Sequence, residues 1–105
     1  MIAAVRGATT VEMNDKEMIY EASAEMMKEI IERNNIDKDD IVSIVFTATS
    51  DLDKAYPAVA VRQMGITEAA LMCVQEMNVE GSLRKCIRVM VTLEGNYDRK
   101  NINHA

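Results

Sequence analysis

The segment Ile41 to Thr49, Ile-Val-Ser-Ile-Val-Phe-Thr-Ala-Thr, constrains the fold more than any other part of the chain. Apolar and β-branched residues stand in both phases of its alternation, so it reads as a central strand with both faces covered. Only one segment is long and amphipathic enough to do the covering. From Asp15 to about Arg33, the residues Met18, Ile19, Ala22, Met26 and Ile30, with Met27 and Ile31 at the margin, recur at helical spacing. Lys16, Glu21, Glu25, Lys28, Glu29 and Glu32 lie elsewhere on that helix. Such a helix of about 19 residues spans roughly 28 Å, enough for one face of a four-stranded sheet and hardly for two. The second apolar face therefore predicts burial against further copies of the chain.

Around these two elements the predicted order is strand, helix, strand, short helix, strand, strand. Ile2 to Arg6 reads as a short strand ended by a turn from Gly7 to Thr10, and Asn14 with Glu17 three residues on reads as a helix cap. Tyr56 to Met64 reads as a short helix with Pro57 in its first turn and Gly65 closing it. Ala69 to Gln75 and Lys85 to Leu93 read as strands, and the loop Asn78 to Leu83 suits a connection between sheet neighbours. In the last strand Ile87, Val89, Val91 and Leu93 share one face, and Cys86, Arg88, Met90 and Thr92 the other. Asp98 to Ala105 begins a short helix and then stops. The expected fold class is α+β, a mixed β-sheet with helices on one face, in one domain over residues 1–105.

Charge bounds the function. With 17 acidic and 12 basic side chains the formal net charge is −5, and no run of Lys or Arg exists to build a nucleic-acid groove or hold an anionic membrane surface. A small anionic ligand stays open, because a few arginines brought together outweigh the distant field of scattered carboxylates. Aromatics are too few, Phe46 and three tyrosines, for a platform on which bases stack. Arg6 follows too soon for a signal peptide, and no apolar run approaches the roughly 18 residues of a membrane span, which makes the cytoplasm the expected address. Cys73 and Cys86 form no CxxC pair and His104, at the expected frayed end, is the single histidine, so buried reduced thiols are expected rather than a zinc or redox site.

Charged residues inside apolar segments carry the most information, since burying a charge is costly unless an opposite charge meets it. Arg6, Glu76 and Arg88 qualify. One reading is structural, with Glu76 pairing an arginine or the arginines snorkelling at strand edges. The other is an anion pocket of two guanidinium groups with one carboxylate to orient a hydroxyl. Cys73 has no base in its local sequence and reads as packing rather than as a nucleophile. Tyr56 beside Pro57 reads equally as a ligand-facing lid or as a helix staple.

Several motifs then agree in order and spacing over essentially the whole chain. They are Val-Arg-Gly-Ala-Thr-Thr-Val-Glu at 5 to 12, Asp51-Leu52 followed by Tyr-Pro-Ala-Val-Ala-Val-Arg at 56 to 62, Cys-Val-Gln-Glu-Met-Asn-Val at 73 to 79, and Leu-Arg-Lys-Cys-Ile-Arg-Val-Met at 83 to 90. Together they resemble the monofunctional chorismate mutases of the AroH class. The resemblance implies a ferredoxin-like α/β sandwich that assembles as a homotrimer, its sheets forming a central pseudo-barrel with active sites between subunits. It implies the Claisen rearrangement of chorismate to prephenate, on the route to phenylalanine and tyrosine. That pericyclic step uses no cofactor, metal, nucleophile or proton transfer.

The resemblance also implies roles. Arg88 matches the arginine that meets the ether oxygen and a carboxylate, and Arg6 matches one that meets a carboxylate. Glu76 and Cys73 match the pair that bind the ring hydroxyl. Tyr56 and Ala58 match wall positions, and Arg62 a basic residue at the rim. Cys73 and Glu76 lie an odd number of residues apart, so either the strand breaks near Gln75 or the two serve different copies of the site. Val59 stands where relatives carry Lys, and Met72, a further wall position, where they carry Thr. After the position of Ala105 the family has a Tyr and a basic tail that help close the pocket, which leaves closure open here. Two rivals share the architecture: a non-catalytic trimeric module that binds a small carboxylate, and a related trimeric fold acting on reactive imines.

Overall fold

A computed structural model of the chain describes residues 1–105. Its elements follow in the order β1 (Ile2–Thr10), α1 (Lys16–Arg33), β2 (Ile41–Ala48), α2 (Ala58–Gln63), β3 (Ala70–Gln75) and β4 (Cys86–Glu94). The short 3-10 turns Lys38–Asp40 and Arg99–Asn101 complete it. The four strands form one sheet in the order β1-β4-β2-β3, in which β2 and β3 are parallel and the other two pairs antiparallel. This is the mixed α+β sheet expected. No helix is long and apolar enough to cross a membrane.

Four local expectations need correction. Strand β1 does not stop at Arg6 but runs to Thr10, with alternate residues buried through Gly7. Gly7 is no turn; it is where α1 comes closest, for a Cβ there would stand 2.9 Å from Ile30 Cδ1 and 3.2 Å from Met26 Cγ. The helix cap is Asp15, whose Oδ2 accepts the Met18 N–H at 3.0 Å. Asn14 instead exchanges two hydrogen bonds with Asp53, 39 residues away, a partner that local sequence cannot reveal. The strands flanking the 76–85 loop are not neighbours: β2 lies between β3 and β4. Helix α2 provides the crossover that the parallel β2–β3 pair requires.

The fourth correction concerns the end of the chain, which does not fray. The Arg6 N–H donates to His104 Nδ1 at 2.9 Å, the Ala105 N–H donates to the Arg6 carbonyl, and Asn34 holds Asn103 by both its amide atoms. Nearby, Tyr97 donates to Asp40 at 2.7 Å and accepts the Asp37 N–H. Burial, and then the hydrogen bond to Asp40, push its phenol pKa up.

The core lies between α1 and one face of the sheet. Ile19, Met26, Met27 and Ile30 of α1 meet Val5, Ile44, Phe46, Ile87, Val89, Val91 and Leu93, all buried. Each contributes about 1.5–3 kcal/mol by leaving water. The single buried polar residue, Ser23, satisfies its hydroxyl on the Ile19 carbonyl at 2.7 Å. In the single chain the other phase of β2, Ser43, Val45 and Thr47, is only half-buried, and Val42 is pushed out at a register shift. On that uncovered face Met72 of β3 and Met90 of β4 are 59% and 46% exposed.

Candidate active site

Register places the charged residues. On the uncovered face Val45 sits between Met90 and Met72, and Thr47 between Arg88 and Val74. In the β1–β4 pair Arg6 is opposite Met90 and Ala8 opposite Arg88. Arg6 and Arg88 are therefore diagonal neighbours on one face, a relation that sets Cα atoms roughly 7–8 Å apart. The terminal residues His104 and Ala105 engage the backbone of Arg6 on the free edge of β1, which fixes the height of its side chain on the sheet.

Glu76 follows β3 directly, and its N–H donates to the Ala48 carbonyl at 2.9 Å, so the extended register continues one residue past the strand. Alternation turns its carboxylate toward Arg88, and Glu76 Oε1 lies 3.1 Å from Arg88 Nη1. The guanidinium side chain is 57% exposed, so the pair adds little to stability. Its consequence is geometric: one edge of a five-donor fork is oriented and the rest is free to meet an anion. Val79, Ser82 and Leu83 of the following loop close a cavity of about 220 Å³ over this pair.

Cys73 occupies the other face. It pairs with Phe46 across β2, and its half-buried thiol lines a cavity of about 490 Å³ with Leu52, Tyr56 and Pro57. Of the two alternatives for the odd spacing of Cys73 and Glu76, a break near Gln75 that would bring both to one face does not occur; the register continues to Glu76 and alternation puts them on opposite faces. Tyr56 is 71% exposed at the cavity edge, Met72 lies on the uncovered face, and Ala58 and Arg62 lie on α2, Arg62 exposed, lining neither cavity. Within one chain, then, Arg6, Met72, Glu76 and Arg88 share the uncovered face, Tyr56 and Cys73 share the cavity on the other side, and Ala58 and Arg62 stand on α2 outside both cavities. Cys86 is the buried reduced thiol expected.

A third cluster between the two groups escaped the sequence. The Asp51 carboxylate accepts the Lys85 N–H on both oxygens, at 3.1 and 3.0 Å, and the Thr49 hydroxyl donates to it. Thr49 Oγ1 in turn accepts the Cys86 N–H at 3.0 Å. Hydrogen bonding from Thr49, then from the Lys85 backbone, holds the Asp51 pKa below the usual carboxylate value against the opposing effect of burial. The clamp stabilises Lys85 at a φ of +49°, a conformation uncommon outside glycine, immediately before β4 carries Arg88. An Asp followed 34 residues later by Lys gives no signal in a sequence.

Fold and site together define a small α+β protein whose two neighbouring guanidinium groups, one of them held by a carboxylate on its far side, suit a carboxylate-bearing small molecule rather than a polymer. Comparison with known proteins makes the class specific. The family model for chorismate mutase type I matches residues 2–105. Chorismate mutase AroH of Bacillus subtilis (strain 168) is 41% identical over 106 residues, an alignment covering all of this chain and 84% of that one, and chorismate mutase AroH of Thermus thermophilus is 34% identical, with 87% of that protein covered. A solved chorismate mutase from Clostridium thermocellum superposes with a TM-score of 0.94 at 50% identity, over 96% of this chain and 90% of that one. The chain belongs to the chorismate mutase type I family.

Proposed function

We propose that the chain catalyses the rearrangement of chorismate to prephenate, as a homotrimer in which each cleft is completed by two copies. The observation that carries the second half of this reading is the separation by face: Glu76 with Arg88 on one side of the sheet, Cys73 with Tyr56 on the other. One chain cannot bring both groups to one small molecule, whereas the uncovered face of one copy laid against the β3 edge of the next can. The same packing covers Met90 and Met72 and leaves the sheets facing a common axis.

In that cleft the reaction needs positioning and electrostatics only. Within one substrate molecule a C–C bond forms as the ether C–O bond breaks, and no proton or electron is exchanged with the protein. Arg6 holds one carboxylate, and Arg88 meets the second and the ether oxygen, where negative charge grows as the bond stretches. Glu76 orients the Arg88 fork and, with Cys73 from the neighbouring copy, binds the ring hydroxyl. Tyr56, Ala58 and Met72 form walls, and Arg62 adds positive charge at the rim.

Loss of chorismate absorbance on adding purified protein is the direct test; binding without loss assigns a carboxylate-binding module instead. Light scattering at micromolar concentration is expected to give three chains, and a monomer overturns the shared cleft. Complementation is sharper still. Arg88→Ala and Cys73→Phe are each expected to be weak alone and to regain part of the activity when refolded together, because mixed trimers then contain a cleft with both halves intact.

A further inference from the structure

The cavity that carries Cys73 and Tyr56 has a cation in its wall that the mechanism above does not use. Lys16 is the first residue of α1, and it lines this cavity together with Tyr20, Tyr56 and Cys73. With Tyr20 it also lines a second depression, whose far side is Val59 and Gln63 at α2. Three features set it apart. A cation in the first turn of a helix faces the positive end of the macrodipole, so the position disfavours Lys on structural grounds. No carboxylate offsets that cost: Glu17 and Glu21 border the depression, yet the close ion pairs of the chain are Arg33–Glu29 and Arg88–Glu76. The Lys16 ammonium instead stands 5.9 Å from the centroid of the Tyr20 ring, a cation–π contact that gives the side chain a direction.

The other charges of the cavity are accounted for differently. Asp53 accepts a hydrogen bond from Asn14 Nδ2 at 2.7 Å, and Lys54 has no ring beneath it. From α2, Val59 contributes no charge to the depression.

We infer that Lys16 is a substrate-recognition residue, its ammonium drawing a carboxylate of the dianionic substrate into the cleft from the α1 side, across a depression whose α2 residues, Val59 and Gln63, carry no charge. The inference rests on the chorismate reading and adds a residue to it. An exposed cation at the cavity wall attracts substrate and transition state alike, so it acts on KM and leaves kcat unchanged. Salt screens it.

Steady-state kinetics on the purified protein test this. KM is expected to rise about threefold in Lys16→Ala and about tenfold in Lys16→Glu, with kcat held within about twofold, and near 1 M salt is expected to close most of the gap. Lys16→Glu is expected to raise the melting temperature, since an acid suits the first helical turn; a merely structural lysine would give lower stability instead. Val59→Lys added to Lys16→Ala is expected to bring KM back toward wild type, because position 59 lines the same depression. Unchanged KM in Lys16→Glu beside an active wild type overturns the inference and leaves the chorismate reading standing. A KM rise that neither salt nor Val59→Lys reduces overturns it as well, and a wild type that does not consume chorismate overturns both.

Discussion

The two faces of this sheet are made from the same strands and do opposite things. On β4, Ile87, Val89, Val91 and Leu93 are at most 3% exposed on the α1 side, while Arg88 and Met90 between them stand open. A guanidinium on a lone strand would be poorly held. Here its backbone is fixed by side chains one residue away that pack beneath the helix, so the covered face gives the open face its rigidity. Stability and chemistry are therefore separable by parity, and substitutions in adjacent residues are expected to fail in different ways.

The largest effect belongs to the covered face. Phe46 is fully buried between α1 and the sheet, and Phe46→Ala is expected to cost about 3–5 kcal/mol in urea unfolding, from lost transfer energy and a residual cavity. The kcat of the molecules that remain folded should change little. A cost under about 1 kcal/mol would mean that the covered face does not carry the fold.

Arg88→Ala is the converse. Because the side chain is more than half exposed, its removal is expected to move the unfolding midpoint by less than about 0.5 kcal/mol in stability. It is expected to lower kcat by at least about 10²-fold, the scale of losing one preorganised donor at developing charge. Near-wild-type turnover would take Arg88 out of the site. Since no side chain transfers a proton in the proposed mechanism, the wild-type rate should also be nearly flat across neutral pH, and a sharp bell there would contradict it.

Met90→Glu tests what covers the open face. In one chain Met90 is 46% exposed, so the substitution should leave the circular dichroism unchanged. Placed in a trimer interface it buries a carboxylate between Val45 and Arg6, its neighbours across the sheet, and even with Arg6 opposite it weaker association is expected, read as a fall in scattering mass on dilution. Activity should fall with the mass. An unchanged mass would assign the apolar residues of this face to something other than a second copy.

What was legible in the sequence follows the same division. The covered face declared itself through periodicity: the stripe of Met26 and Ile30 on α1 and the alternation of Ile87 to Leu93 both stand where spacing put them. The chemistry of the open face was legible in part, since charges inside apolar runs singled out Arg6, Glu76 and Arg88, and Glu76 does meet Arg88. Parity put Cys73 and Glu76 on opposite faces unless the strand broke near Gln75, and the register continues unbroken to Glu76. Contacts set by partners far along the chain were not legible. Gly7 resembled a turn because its neighbour on α1 is invisible in a local window, and His104 resembled a loose end because the edge of β1 that it caps lies 98 residues away. The order of β3 and β4 failed for a related reason, as a short loop favours adjacent strands and only the sheet shows that β2 takes the place between them.

Asp51 stands where the two faces meet, and it gives the smallest and most specific prediction. Thr49, its hydrogen-bond donor, lines both the Cys73 cavity and the Arg88 cavity, and the clamp fixes the first residues of β4 on which Arg88 depends. Its pKa is lowered in the folded chain, chiefly by the Thr49 hydroxyl, so the folded state prefers the carboxylate more than the unfolded state does. Stability from this source is complete above the ordinary carboxylate range and is lost as pH falls through the ordinary value toward the lowered one. Asp51→Asn keeps the size but replaces one acceptor with an amide donor facing N–H groups that already donate. The difference in unfolding free energy between wild type and Asp51→Asn should be constant from about pH 8 to pH 5 and shrink below about pH 4, where the wild-type carboxylate protonates. Turnover in Asp51→Asn should fall only severalfold, through kcat rather than KM, because the Arg88 fork is displaced and not removed. A difference as large at pH 3.5 as at pH 7 would show that Asp51 fills space rather than holding the start of β4 by charge.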